Sequence, residues 1–84
     1  MLEKTIFIKD IDAARDFNRK ISGINCDIDL IPIYKRRHIV DAKSVMGLFT
    51  LDLSRPLILK AYTNDPAVIE ELDKAIYDLS CENI

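Results

Sequence analysis

The run Asp41-Ala42-Lys43-Ser44-Val45-Met46-Gly47-Leu48-Phe49-Thr50-Leu51 decides how the rest of the chain is read. It holds a short apolar stretch opened by a hydroxyl residue. Ser44 can accept a hydrogen bond from an N–H that the first turn leaves without an intrahelical partner, so a short capped helix is expected over Ser44–Leu51 despite the helix-weakening Gly47. Val45, Met46, Leu48 and Phe49 are too many large apolar groups for so short a helix to bury. Val45 and Leu48 are expected in the core, and Met46 and Phe49 at the surface.

Upstream of this run, Cys26–Tyr34 alternates Asp27, Ile28, Asp29, Leu30 and then Ile31, Ile33, the period of a strand with one apolar face. Pro32 has no N–H to give a ladder and points to an edge strand or a bulge. The basic turn Lys35, Arg36, Arg37 follows, and His38–Val40 is expected to begin a third strand that closes a hairpin. After the central run comes the turn Ser54, Arg55, Pro56 and a fourth strand over Leu57–Tyr62. Asp65 then stands as an N-cap with Pro66 at the first helical position, where a missing N–H costs nothing. Val68, Ile69, Leu72, Ala75, Ile76 and Leu79 make an apolar stripe that carries this helix to Ser80.

At the other end, Leu2–Ile8 reads as the first strand. Ile11, Ala14, Phe17 and Ile21 recur at three and four residues with charged residues between them, an amphipathic helix that Asp10 or Asp12 can cap and Gly23 can end in the left-handed conformation. The order is βαββαβα. Helices this amphipathic need one apolar sheet face, so the expected class is α+β, a two-layer open-faced sandwich with a four-stranded antiparallel sheet.

Bulk properties agree with one domain over residues 1–84. A chain of 84 residues, 49% of them hydrophobic, can form one core. Twelve Lys and Arg against fourteen Asp and Glu give a net charge of −2, which disfavours nucleic acid as a partner. No segment approaches the roughly 20 apolar residues that span a bilayer, and no secretory leader is seen, so a cytoplasmic protein that does not engage the membrane is expected. Cys26 and Cys81 are read as thiols, Cys26 as core filling and Cys81 as exposed. Two thiols and one distant imidazole do not make a zinc site, and no metal or cofactor is expected.

The element order together with the 41–51 run resembles the HPr phosphocarrier family, whose middle helix opens with a very similar Lys-Ser-aliphatic-Met-Gly run. Lys4 and Thr5 in the first strand and Asp27-Ile28-Asp29-Leu30 in the second are similar to the family as well. The resemblance implies a bacterial protein of the sugar phosphotransferase system, with protein partners that include a serine kinase, a transcriptional regulator and other components of that system, and a monomer or weak homodimer. In the family a histidine at the start of the first helix, in a Gly-Ile-His-Ala-Arg-Pro run, carries the phosphoryl group. An imidazole nitrogen is nucleophilic at neutral pH, and a helix N-terminus welcomes an anion. Here the matching stretch is Lys9-Asp10-Ile11-Asp12-Ala13-Ala14-Arg15, with Asp10 nearest the histidine and Asp12 nearest the arginine. Two carboxylates repel a phosphate, so these positions read as a degenerate carrier site and no catalytic residue is assigned.

The resemblance further implies that Ser44 is the family's regulatory phosphorylation site and that Met46 and Phe49 dock partners. The bland alternatives are an unmodified N-cap and ordinary core or surface residues. His38, the single histidine, belongs by the same resemblance to the hairpin and reads as a solvated strand residue. The expected function is a non-catalytic, protein-binding regulator switched at Ser44. Its rival is a phosphoryl carrier that uses a non-standard acceptor, Asp10 or His38.

Overall fold

Each long helix begins where an aspartate can take up free backbone N–H groups. The computed structural model describes residues 1–79. In it α1 (Ile11–Ile21) is capped by Asp10, whose Oδ1 accepts from the Ala13 N–H at 2.8 Å, and α3 (Pro66–Ile76) by Asp65, whose Oδ1 accepts from Ala67 N–H at 3.0 Å. The four-residue α2 (Val45–Leu48) starts at Ser44, whose Oγ accepts from Gly47 N–H at 3.2 Å. A 3₁₀ turn over Tyr77–Leu79 extends α3. Ser80 and Cys81, the expected end of the last helix and the expected exposed thiol, lie outside the described residues.

Four strands, β1 (Leu2–Ile6), β2 (Ile28–Pro32), β3 (Val40–Asp41) and β4 (Leu57–Ala61), form one antiparallel sheet in the order β1-β4-β2-β3. Strand alternation sends Ile6, Ile28, Leu30, Val40, Leu57, Leu59 and Ala61 to the side covered by the helices. There they meet Ala14, Phe17 and Ile21 of α1, Leu48 of α2, and Leu72 and Ile76 of α3 in one core cluster. Burial of this apolar surface is the main stabilising contribution, of order 1.5–3 kcal/mol for each large side chain. The opposite face carries the ion pair between Lys60 and Glu3 and the Tyr62 hydroxyl donating to Asp29. The fold is the expected α+β open-faced sandwich.

Five local expectations are corrected. β2 is an interior strand, and Pro32 is tolerated because it is the last residue of β2, paired to Leu57 of β4, at a point β3 does not reach. β3 has only two residues, because Lys35 N–H donates to Pro32 O and His38 N–H to Lys35 O, so that 33–39 folds into turns. β1 stops at Ile6, where β4 begins, and Phe7 N–H turns to Leu79 O at 2.8 Å. Gly23 is not left-handed: Ser22 ends α1 in a right-handed conformation with both its N–H and its hydroxyl on Asn18 O. Val45, expected in the core, is 38% exposed, since a single-turn helix rests only one side on the sheet and Leu48 takes it.

Gly47 is where α2 meets the sheet. A Cβ there would stand 2.8 Å from Val40 Cγ1, closer than carbon atoms pack. Only a glycine lets α2 approach β3 this closely. That contact sets the height at which Ser44, Met46 and Phe49 are presented.

Candidate functional site

The start of α1 and the end of α2 are neighbours. Asp10, Ile11 and Asp12 from the first, with Leu48, Phe49, Leu51, Asp52 and Leu53 from the second, line one open cleft of about 590 Å³. Of the residues that the sequence singles out, Asp10, Asp12 and Phe49 are therefore brought together, whereas Ser44 and Met46 do not line this cleft. Arg15, one turn into α1, holds its guanidinium over the Phe49 ring, 5.8 Å from the centroid. A cation in that position is attracted by the ring's negative face and ties α1 to α2 across the cleft.

Chemically, the α1 end of this face is already occupied. The N–H groups that would greet an anion include Ala13 N–H, and the Asp10 carboxylate has taken it. That carboxylate also supplies the negative charge the helix dipole favours at its N-terminus. Asp12, exposed in the first turn, adds a second negative charge. Lys9 and Lys20 stand near Asp10, Asp12, Asp16 and Asp78 around a second cavity of about 760 Å³ between α1 and the end of α3, so carboxylates outnumber cations there too. Within this group Lys20 and Arg19 hydrogen-bond Asp16 and hold its carboxyl below the usual carboxylate range. His38 lines neither cavity. Its Nε2 lies 3.4 Å from Thr50 Oγ1, at the far end of α2.

The α2 end is built differently. Ser44 is half-buried, and its Oγ accepts a hydrogen bond from the Gly47 N–H. Met46 is 73% and Phe49 43% exposed, and neither belongs to the core cluster. Thr50 closes the helix by donating its hydroxyl to Gly47 O at 2.6 Å. Asp52 is held in the adjoining turn by the Ser54 hydroxyl and N–H, which lower its pKa.

Ile11, which fits the apolar stripe of α1, is a surface residue of this face, 53% exposed. Leu51 and Leu53 join it in the cleft, although nothing in their spacing marks them. The signal for Ile11 is positional. With Asp10 as N-cap, Ile11 is the first helical residue, outside the run of Ala14, Phe17 and Ile21 that reaches the sheet.

Cys26, expected as core filling, is partly buried against the core and free, and burial pushes its thiol pKa up. Among the described residues no group of three or more His, Cys, Asp or Glu side chains is placed to hold a metal ion, and no helix is long and apolar enough to cross a membrane.

No protein-family model and no curated protein matches the chain. Solved structures do. HPr-C-His from Thermoanaerobacter tengcongensis superposes with a TM-score of 0.70 at 28% identity, covering 93% of this chain and 93% of that one. The histidine-containing phosphocarrier protein of Mycoplasma does so with a TM-score of 0.66 at 18% identity, over 92% and 93% of the two chains. The sheet order and helix placement match the HPr fold, and the first of these neighbours, at 28% identity, supports an HPr-like family.

Proposed function

We propose that this chain, built on the fold of the HPr phosphocarriers, is a single-domain regulatory protein that binds other proteins through α2 and is switched by phosphorylation of Ser44. The observation that carries the proposal is the pairing of a half-buried capping Ser44 with exposed Met46 and Phe49 at the two ends of one short helix turn. Docking would bury the thioether and the ring together with Ile11 and the half-buried Leu53. A phosphate on Ser44 would place about two negative charges two residues from Met46, enough to favour one partner and repel another.

The same reading assigns Asp10 and Asp12 to a degenerate carrier site. Asp10 is engaged as a cap, and two carboxylates at the head of α1 disfavour the approach of a phosphoryl donor. His38 lines neither cavity at the head of α1, and its Nε2 lies 3.4 Å from Thr50 Oγ1. The protein would act in the cytoplasm as a monomer or weak homodimer without metal or cofactor, and its partners would be a serine kinase, a transcriptional regulator or phosphotransferase components.

Incubation with a serine kinase of the HPr type and ATP, followed by intact-mass measurement, tests the switch. One added phosphate that disappears in Ser44→Ala is the expected result. An unchanged mass, or a phosphate that survives Ser44→Ala, removes it.

A further inference from the structure

Charge is unevenly spread over this molecule. Its net charge is −2, yet Lys35, Arg36 and Arg37 follow Tyr34 in the turn between β2 and β3, and Arg55 lies against the Tyr34 ring. Arg55 lies over the Tyr34 ring, 4.8 Å from the centroid, and among the described residues its ion-pair partner is Asp52, at 3.9 Å. Lys35, Arg36 and Arg37 are exposed and make no ion pair with any described residue. The turn is nonetheless well held, by the Lys35 and His38 backbone bonds and by the His38–Thr50 contact. Its cations are therefore presented from a fixed backbone, which lowers the ordering cost of binding.

We infer that this turn is a second binding surface, and that it takes an acidic segment of a protein partner. Guanidinium groups suit carboxylates because their paired N–H donors match the two oxygens. Beside them stand Ile39, 60% exposed, and the exposed Ile33 and Tyr34, an apolar border that complements a protein surface and has no counterpart on a phosphate backbone. Arg55 covers one face of the Tyr34 ring, which leaves a single exposed aromatic residue in the patch, far short of the series of rings on which successive bases stack. The acidic remainder of the chain would repel an extended polyanion but not a short acidic segment. The turn is also continuous with α2, through His38 on Thr50 and through Val40 beneath Gly47. A partner seated on α2 can thus reach it, but the surface exists whether or not Ser44 is phosphorylated.

Amide chemical shifts of the full-length protein, titrated separately with a peptide alternating glutamate and leucine, a peptide alternating lysine and leucine, a DNA duplex and phosphatidylserine vesicles, test this. The glutamate peptide should move Tyr34 to Ile39 and Arg55, and bind at least about tenfold more weakly to R36E/R37E. Because both arginines are exposed, the variant should keep the wild-type shifts of the core, and added salt should weaken wild-type binding. The inference is overturned by equal binding of the lysine peptide, by tighter binding of DNA or vesicles, or by full affinity in R36E/R37E. Ser44→Ala should leave this titration unchanged, which separates its failure from failure of the switch.

Discussion

The head of α1 and the end of α2 share one cleft, and each of the two helices is capped at its head by a side-chain oxygen. They differ in the charge of that oxygen. At α1 the cap is the Asp10 carboxylate, which fills the anion position permanently and is seconded by Asp12. At α2 it is the neutral hydroxyl of Ser44, which leaves the position open to a phosphate added later. A cap that is already charged fixes the local electrostatics, whereas a neutral one can be changed by a modifying enzyme.

The largest effect that would break this contrast falls on the support of α2. Gly47→Ala forces a Cβ to within 2.8 Å of the stiff Val40 side chain, so a loss of about 1–3 kcal/mol is expected in urea unfolding, with weaker partner binding besides. Stability unchanged by that substitution would mean that α2 has room to shift and that its height over β3 is not fixed by the glycine.

Next come the caps themselves. Asp10→Ala and Ser44→Ala each remove one capping acceptor, and each should cost about 0.5–2 kcal/mol. The aspartate should cost more of the two, because it also loses its interaction with the dipole of an eleven-residue helix. Raising the salt concentration should narrow the difference between them, which thermal melts can follow.

Met46→Ala and Phe49→Ala sharpen the contrast in the opposite way. Both side chains are exposed, so stability should move by less than about 0.5 kcal/mol for Met46→Ala, while binding of a partner that reads α2 should fall by about tenfold or more. Phe49→Ala should show a slightly larger stability change, since it also releases Arg15.

Much of this architecture is legible in the residues. Asp65 followed by Pro66 marks the start of α3, the three-and-four spacing of Ala14, Phe17 and Ile21 marks the buried face of α1, and Ser44 marks the head of α2. What escapes is whatever depends on a distant partner. Pro32 looks like an edge residue because its own strand cannot reveal that β3 stops short of it. Ile33 continues the alternation of β2, yet it lies in the turns made by Lys35 and His38 N–H groups. Val45 and Leu48 are equally apolar, and only the seat of α2 on Val40 decides which is covered. The cleft between the head of α1 and the end of α2 draws on Leu51 and Leu53, about forty residues from Asp10, so no local pattern announces it.

Gly23 supplies the smallest test. It stands in open space with negative φ, so Gly23→Ala should stabilise the protein by about 0.4–1 kcal/mol through the unfolded chain, where a left-handed residue would instead be destabilised. Acid titration gives a further check of direction. The Asp16 carboxyl, kept below its ordinary value by Lys20 and Arg19, adds stability that is present above the unfolded-state pKa and fades as pH falls through the lower folded one, and Asp16→Asn should flatten that limb.

The contrast between the two helix heads is tested most directly by offering the protein both kinds of phosphoryl donor in parallel. One arm supplies phosphoenolpyruvate with the first enzyme of the sugar phosphotransferase system, the other ATP with an HPr-type serine kinase, and the site of label is mapped by peptide fragmentation. The account predicts label on Ser44 in the kinase arm and none on Asp10, Asp12 or His38 in the other. Label on any of those three from phosphoenolpyruvate, with Ser44 left unmodified by ATP, would contradict it.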